Sequence, residues 1–446
     1  MIAKKYFFVG VGGIGMSSIA NYMLDCNHEI LGYDRVSNRI IESLKDKGMV
    51  FTDKEDIKNI PSKFLEEDVI VIYTPAIKQN NLFLKYFSSN SKNKIFKRSE
   101  ILGEISKQSK CIAVAGTHGK TTTTSILSHL FYSCNLKFKS FVGGVMKGYN
   151  SNYLNTGDKF VIIEADEYDR SFHKLDPDYI LITSIEEDHL DIYQDYESLF
   201  ESFKIFSEKA KSCLIIEEQI KLNKDYSFSI NNDADYMALN ISSDRNGVRF
   251  DFKSPNGLIS NIHFNLIGEH NLKNALSALS IIDQIDDLNV NEFIPYLSTF
   301  KGIERRMDIF NYNNKIIIDD YAHHPSEIKA VYNTLKSNFS KQTKAVIFQP
   351  HLFSRTRDFI EDFARVLSNF DEVYLLDIYP AREEPIKGIT SQVLLEKIDV
   401  KIKKKINPLD INELIKKTKC EIISILGAGD LTKNINKKFF ESVQTN

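Results

Sequence analysis

The segment Gly116-Thr117-His118-Gly119-Lys120-Thr121 stands directly after the apolar run Cys111–Ala115 and directly before helix-compatible sequence. Few folds let a strand turn through glycines straight into a helix. The turn aims free backbone N–H groups, and the positive end of the helix dipole, at one point in space. Polyphosphate fits that geometry, with Lys120 reaching the β- and γ-phosphates and the Thr121 hydroxyl ligating Mg²⁺. Only Thr117 and His118 separate the glycines, a shorter spacing than the general phosphate-loop pattern, so placement between strand and helix carries the reading more than the motif does. Gly116, Thr117, His118, Gly119, Lys120, Thr121 and Thr122 are therefore candidate nucleotide-binding positions. The alternative is a glycine turn that happens to carry Lys-Thr.

The chain's 446 residues, 42% apolar and 26% charged, suit a globular protein of about three domains. A net charge of −3 with scattered Lys and Arg lacks the electrostatic footprint of a nucleic-acid binder. The partners expected are small molecules, with neither nucleic acid nor membrane. Cys26, Cys111, Cys134, Cys213 and Cys420 are an odd number without a CxxC pair, which fits free thiols in a reducing, cytoplasmic setting. Lys4-Lys5 and the apolar stretch to Ala20 have the outline of a secretory signal, but Gly10, Gly12, Gly13 and Gly15 make that stretch a poor helix. No unbroken apolar run reaches the ~18 residues of a spanning helix.

Along the chain, strand-like runs alternate with helix-like ones, and the runs end in polar residues. Tyr6–Val9 ends in Gly10-Val11-Gly12-Gly13-Ile14-Gly15, Glu29–Tyr33 ends at Asp34, and Val69–Tyr73 is closed by Thr74. Strand, glycines, helix and a following acid together make a Rossmann-like unit that binds a nucleotide diphosphate. Phe160–Ile163 ends in Glu164-Ala165-Asp166-Glu167, and Tyr179–Ile185 ends in Glu186-Glu187-Asp188-His189. Ligands of open α/β sheets bind beyond the carboxyl ends of strands, so Glu164 and His189 are expected near the phosphate loop as divalent-metal ligands. From Ser227 to Phe264 the period changes to two, which predicts a small antiparallel insert. Alternation resumes in a third block. Lys315–Ile318 leads to Asp319-Asp320-Tyr321-Ala322-His323-His324, Ala345–Phe348 to Gln349-Pro350-His351, Glu372–Leu376 to Asp377, and Ile422–Leu426 to Gly427-Ala428-Gly429-Asp430.

Taken in order, GVGGIG, TPAI, GTHGKTTTT, EADEYDRSFHKLDP, EEDHLD, GEHNLKNAL, GIERRMD, DDYAHHPSE, FQPHLFSRTRD and ILGAGD resemble the successive signatures of the Mur ligases of peptidoglycan synthesis. The resemblance spans nearly the whole chain, and is strongest to the branch that couples UDP-N-acetylmuramate to L-alanine. It implies an α/β protein of three domains. These are a Rossmann-like UDP-sugar domain over 1–110, a central P-loop ATPase over 111–307 with a mainly parallel sheet plus the small antiparallel insert, and a Rossmann-like amino-acid domain over 308–446. It implies that Lys120 grips ATP and that Thr121, Glu164 and His189 hold Mg²⁺. Asn271 and Asn274 resemble adenine-contacting positions, and Arg306 and Asp320 resemble C-terminal groups that reach ATP. His323, His324 and Arg355 resemble the groups that handle alanine and the acyl carbon. Gly10, Gly12, Gly13, Gly15, Asp34 and Thr74 would face the UDP moiety.

The family's arginine after QPH is replaced here by Leu352, which passes that duty to Arg357 or Arg382, and Lys204 lies where some members carry a carbamylated lysine. Competing readings are a sister ligase that attaches a peptide in cell-wall recycling, an NAD-dependent oxidoreductase prompted by GxGxxG and Asp34, and a non-catalytic nucleotide sensor. Folate-polyglutamating ligases share the central theme but lack the N-terminal block. The chain is expected to act as a monomer or weak dimer. Because the candidate residues are spread over three domains with short connections, ligand binding is expected to close the molecule. Small-angle scattering should show a smaller radius of gyration with UDP-sugar plus an ATP analogue; an unchanged radius would contradict closure.

Overall fold

The computed structural model describes residues 4–65, 68–78, 80–89, 93–187, 190–193, 195–381, 383–429, 431 and 435. Among them, strands form three sheets. The first contains β1 (Lys5–Val9), β2 (Glu29–Tyr33), β3 (Val50–Thr52), β4 (Ile70–Tyr73) and β5 (Lys94–Lys97), in the order 3-2-1-4-5 and parallel throughout. Tyr6, Phe7, Phe8 and Val9 of β1 are all buried, as a strand covered by helices on both faces requires.

The second sheet has ten strands: β6 (Lys110–Ala115), β7 (Phe138–Met146), β8 (Ser151–Asn155), β9 (Phe160–Glu164), β10 (Tyr179–Ile182), β11 (Cys213–Glu217), β12 (Tyr226–Ser229), β13 (Tyr236–Asp244), β14 (Gly247–Ser254) and β15 (Gly257–Phe264). Its order is 15-14-13-12-11-10-6-9-7-8, and β6, which leads into the phosphate loop, lies between β10 and β9. Two features differ from the sequence expectation. β10 stops at Ile182 instead of Ile185, because Thr183 and Ser184 leave the ladder to brace the phosphate loop. The period-two segment is an extension of the main sheet: β12 pairs parallel with β11 and β13 parallel with β12. Two-residue links then carry the chain into β14 and β15, which only antiparallel neighbours permit. The antiparallel hairpin of β7 and β8 has no clear sequence signal.

The third sheet contains β16 (Asp308–Tyr312), β17 (Lys315–Asp320), β18 (Lys344–Phe348), β19 (Glu372–Leu375), β20 (Ile402–Lys405) and β21 (Ile422–Leu426), in the order 16-17-21-18-19-20. β16 and β17 form an antiparallel edge hairpin and the other pairings are parallel. Ile318, Val346 and Val373 pack on one face while Ile317, Ile347 and Ile425 pack on the other.

The chain divides into two compact units, one of Met1–Leu239, Phe252–Ile259 and Asn274–Lys301, the other of Asn240–Asp251, Ser260–Lys273 and Gly302–Asn446. Inside the first unit, the five-stranded sheet and the β6 region share one hydrophobic cluster. Tyr22, on the helix Ile14–Asp25, meets Phe141 of β7 and Tyr153 of β8 edge-on, at centroid distances of 5.8 and 6.3 Å. Asn152 reinforces this seam by donating to the Ile14 carbonyl at 2.6 Å and to Ser17 Oγ at 2.9 Å. No helix among the described residues is long and apolar enough to cross a membrane.

The helix Arg98–Ser106 packs against the turn Tyr168–Lys174 so closely that a Cβ on Gly103 would lie 2.4 Å from the Lys174 carbonyl oxygen. Alanine in an unobstructed helix would stabilise by about 1 kcal/mol over glycine. Here a rigid backbone atom blocks the methyl, and overpacking of that kind costs about 1–3 kcal/mol. Gly103→Ala is therefore expected to lower the urea midpoint, and a raised midpoint would show that the two elements part readily.

Candidate active site

The phosphate loop owes its path to two glycines that no side chain could replace. Gly116 has φ +137°, and a Cβ there would lie 2.2 Å from Thr183 Oγ1. Gly119 has φ +85° at the N-terminus of the helix Lys120–Ser133, and a Cβ there would lie 2.5 Å from Asn274 Oδ1. The loop is braced from β10's end: Thr183 Oγ1 donates to the His118 carbonyl at 2.5 Å, and His118 N donates to Ser184 Oγ at 2.8 Å. Thr117 N donates to the Ser184 carbonyl. His118 Nε2 lies 3.4 Å from Glu186 Oε2, and Thr122 is buried in the helix's first turn.

Lys120 folds back over this loop. Its ammonium donates to the Gly116 carbonyl at 2.5 Å and meets both oxygens of Glu167, at 2.8 and 2.7 Å. The two side chains are 13% and 1% exposed. Burial works against the Lys120 charge, but Glu167, Asp166 and Glu164 outweigh it and hold the pKa above the usual lysine value. One residue on, Thr121 Oγ1 donates to Glu164 Oε1 at 2.8 Å, and Glu164 Oε2 accepts from Gly143 N of β7 at 2.6 Å. A hydroxyl and a carboxylate oxygen side by side are the hard donors Mg²⁺ prefers, and a glycine loop with the helix's first amides beside them suits a polyphosphate. The residues present fit Mg²⁺ and a nucleotide triphosphate. His189 lies outside the described residues.

Glu167 sits on a constrained turn. Asp169 and Arg170 both have left-handed backbone, φ 54° and 52°. Tyr193 OH donates to the Glu167 carbonyl at 2.5 Å, and the Arg170 guanidinium lies 5.5 Å from the Tyr193 ring centroid.

The other glycine loop, after β1, is tied down by the residues flagged with it. Gly10 has φ +90°, and a Cβ there would lie 2.9 Å from Thr74 Cγ2. Gly12 N donates to Asp34 Oδ2 at 2.8 Å, while Asn38, not singled out from sequence, donates to the Gly12 carbonyl at 3.1 Å. Gly13 is the N-cap of the helix Ile14–Asp25, and Gly15 lies against the Arg98 guanidinium.

In the second unit, Arg306 lies over the Tyr321 ring at 5.0 Å with Nη1 3.9 Å from Glu327 Oε1. Buried Asp320 accepts from Met307 N at 2.6 Å and Ala322 N at 2.7 Å. Burial raises its pKa against the opposing pull of Arg306 and these amides. Burial also pushes Asp319 up to about 7, although Arg305 opposes the shift. His323 Nδ1 is 3.0 Å from the Tyr321 carbonyl and 3.2 Å from Glu327 Oε2. His324 caps the helix Pro325–Asn338: its Nδ1 is 2.7 Å from Ser326 Oγ, and Glu327 reaches back to the His323 and His324 amides. A capping signature, residue-Pro-Ser-Glu, was present in the sequence and would have revealed this role. Asn271 donates to the Ile267 carbonyl at 2.8 Å.

Leu352 is buried with φ 70° as N-cap of the helix Phe353–Asp358, whose buried cation is Arg355. Arg357 is exposed and paired to Asp358 at 2.7 Å, and Arg382 lies outside the described residues. Lys204 is exposed, with Nζ 3.3 Å from Glu201 Oε2. Glu167, Thr183, Ser184 and Arg98 escaped the sequence reading because their partners are distant in the chain.

Three family models match this chain: "Mur ligase family, catalytic domain" over residues 5–110, "Mur ligase middle domain" over 114–282, and "Mur ligase, glutamate ligase domain" over 305–430. The UDP-N-acetylmuramate–L-alanine ligase of Christiangramia forsetii is 42% identical over 97% of this chain and 96% of its own. That of Flavobacterium psychrophilum is 40% identical over 98% of each. Among solved structures, a UDP-N-acetylmuramate-alanine ligase from Thermotoga maritima superposes with a TM-score of 0.82 at 24% identity, covering 96% of this chain and 97% of that one. A murein peptide ligase from Psychrobacter arcticus superposes with a TM-score of 0.71 at 21% identity, covering 99% and 100%.

The Lys120–Glu167 contact makes a prediction independent of turnover. Removing one member of a buried ion pair costs about 3–5 kcal/mol, whereas removing both charges costs far less. Urea unfolding of the ligand-free protein should show Lys120→Met strongly destabilised, with Lys120→Met/Glu167→Gln recovering most of the loss. Additive losses would show that the two charges do not depend on each other.

Proposed function

The chain belongs to the Mur ligase family, and from that premise we propose that it joins the carboxylate of UDP-N-acetylmuramate to the α-amine of L-alanine at the expense of ATP, in peptidoglycan precursor synthesis. Relatives that carry this activity in their names, at 42% and 40% identity over nearly the full chain, support the choice of alanine as acceptor. The observation that carries the chemistry is the Lys120–Glu167 and Thr121–Glu164 pairing beside the phosphate loop.

A carboxylate is a poor acyl donor. Its oxygen attacks the γ-phosphorus of ATP, ADP leaves, and an acyl phosphate results. The amine nitrogen of alanine then attacks the acyl carbon, and inorganic phosphate departs as the amine loses its proton. Both steps crowd anions, so positioning and charge neutralisation are the protein's main work. Lys120 contributes a fixed positive charge to the phosphates, and the amides of the helix's first turn, Lys120 to Thr122, contribute N–H donors. Thr121 and Glu164, with His189 by family resemblance, would hold Mg²⁺, which neutralises phosphate charge when bound. Asn271 and Asn274 would take the adenine, and Arg306 and Asp320 would serve the ATP side from the C-terminal unit. Gly10, Gly12, Gly13, Gly15, Asp34 and Thr74 would receive the UDP group.

The α-amine must lose protons, and His323 is suited to accept one. Its Nδ1 is engaged by Glu327 and the Tyr321 carbonyl, leaving Nε2 for exchange. His324 would orient the neighbouring residues as a cap, and Arg355 would take the alanine carboxylate. All five cysteines are free thiols, in keeping with a cytoplasmic enzyme, and we take it to act as a monomer or weak dimer.

Phosphate release from ATP and Mg²⁺ with UDP-N-acetylmuramate tests this reading. L-alanine should be required as acceptor, and Lys120→Met should be inactive. Release only with a tripeptide would move the chain to the recycling activity, and no release with any acceptor would reject the ligase reading.

A further inference from the structure

The acidic turn after β9 carries both Glu164, which meets Thr121, and Glu167, which meets Lys120. It is held in an unfavourable shape. Two successive non-glycine residues, Asp169 and Arg170, are left-handed, a conformation that costs about 1–2 kcal/mol per residue. Such a turn persists only where its surroundings over-determine it.

Part of what determines it comes from the five-stranded sheet's side of the unit. β5 ends at Lys97, and the next residue, Arg98, opens the helix Arg98–Ser106. Arg98 Nη2 donates to Asp166 Oδ2 at 2.8 Å, with the Arg98 side chain 17% exposed. Lys97 Nζ pairs with Asp169 Oδ2 at 3.1 Å. Asp166 passes the restraint on, since its other oxygen accepts from Tyr168 N at 3.1 Å and its carbonyl accepts from Phe172 N at 2.9 Å. Arg98, Glu164, Asp166 and Phe172 also line one narrow crevice, so the arginine and the candidate metal-binding carboxylate border the same space. Arg98 Nη1 meets the first turn of the helix Ile14–Asp25, which follows the glycine loop after β1. A Cβ on Gly15 would lie 2.3 Å from Arg98 Nη1. One cation thus touches both glycine loops' neighbourhoods, the backbone at Gly15 and the turn that presents Glu164 and Glu167.

We propose that Arg98 is a positioning residue for phosphoryl transfer: through Asp166 it holds the strained turn so that Glu164 and Glu167 stand at Thr121 and Lys120, and it ties that alignment to the glycine loop after β1. It touches no reacting atom. The inference rests on the ligase reading above, since that reading makes Glu164 a metal-binding group and Lys120 a phosphate-binding one.

The test uses the full-length enzyme and its Arg98→Ala, Asp166→Ala, Arg98→Ala/Asp166→Ala and Arg98→Lys variants. The measurements are kcat at saturating substrates, the Mg²⁺ concentration for half-maximal rate, Mg²⁺-dependent binding of a non-hydrolysable ATP analogue, and Tm. Each alanine variant is expected to lose about 10- to 100-fold in kcat, the rate equivalent of freeing one strained residue, and to need more Mg²⁺. The double variant should lose no more than the worse single variant, because both act through one contact, and Arg98→Lys should recover part of the rate. Losses that multiply, or wild-type kcat and Mg²⁺ response in an Arg98→Ala protein still folded at the assay temperature, would overturn the proposal. If the wild-type chain itself releases no phosphate with L-alanine, the ligase reading fails. The analogue's Mg²⁺-dependent affinity then decides the role of Arg98: weakening in Arg98→Ala and Asp166→Ala supports it, and equal affinity rejects it.

Discussion

Lys120 takes a full positive charge to a place almost closed to water, and the architecture of the first unit can be understood as an answer to that charge. An ammonium so placed needs anions and carbonyls at short range, because desolvation would otherwise strip its proton. Glu167 supplies both carboxylate oxygens and Gly116 a carbonyl. Delivering Glu167 there requires β9 to lie beside β6, and requires the chain after β9 to bend sharply through left-handed residues. Bracing the loop on its other side requires β10 to end early, so that Thr183 and Ser184 can turn toward His118. Strand order, strand length and backbone strain thus follow from one buried charge.

The same arrangement is poised for exchange of partners. Glu167 and the loop carbonyls satisfy Lys120, and the Thr121 hydroxyl is satisfied by Glu164. Under the proposed ligase reading, an incoming phosphate and its cation would compete for those same groups. The ligand-free protein therefore keeps its polar groups bonded without filling the loop with side chains. The glycines at 116 and 119 keep the space open, since a Cβ at either would strike Thr183 or Asn274.

Local chemistry made part of this legible in the sequence. Glycines between an apolar strand and a helix suit a phosphate-type turn, and short, mostly apolar runs such as Glu29–Tyr33 and Ile422–Leu426 emerge as strands with those same bounds. Where the outcome depended on distant partners, the sequence was mute. Nothing local in Glu164-Ala165-Asp166-Glu167 distinguishes the carboxylate that meets Thr121 from the one that meets Lys120 or Arg98. The β7–β8 hairpin has little local signal because part of what holds β7 is distant in sequence, namely its parallel pairing to β9 and the contact of Phe141 with Tyr22 on the helix Ile14–Asp25. His324 shows a local role beside the one the resemblance implies. Its capping pattern was local and readable, yet histidines beside acids draw attention to catalysis first.

The position of β6 in its sheet also sets when a growing chain can acquire its phosphate loop. β6 is hydrogen-bonded to β9 and β10, and the loop's second glycine abuts Asn274. A ribosome that has finished the loop must still synthesise everything through Asn274 before those neighbours exist. At ~5–20 residues per second that interval is on the order of ten seconds, and apolar β6 lacks its sheet neighbours for the early part of it, until β10 is finished at Ile182. For this chain, nascent molecules spend the first part of that interval with a core strand unsheltered, and a product terminated before Ile182 lacks a strand that β6 pairs with.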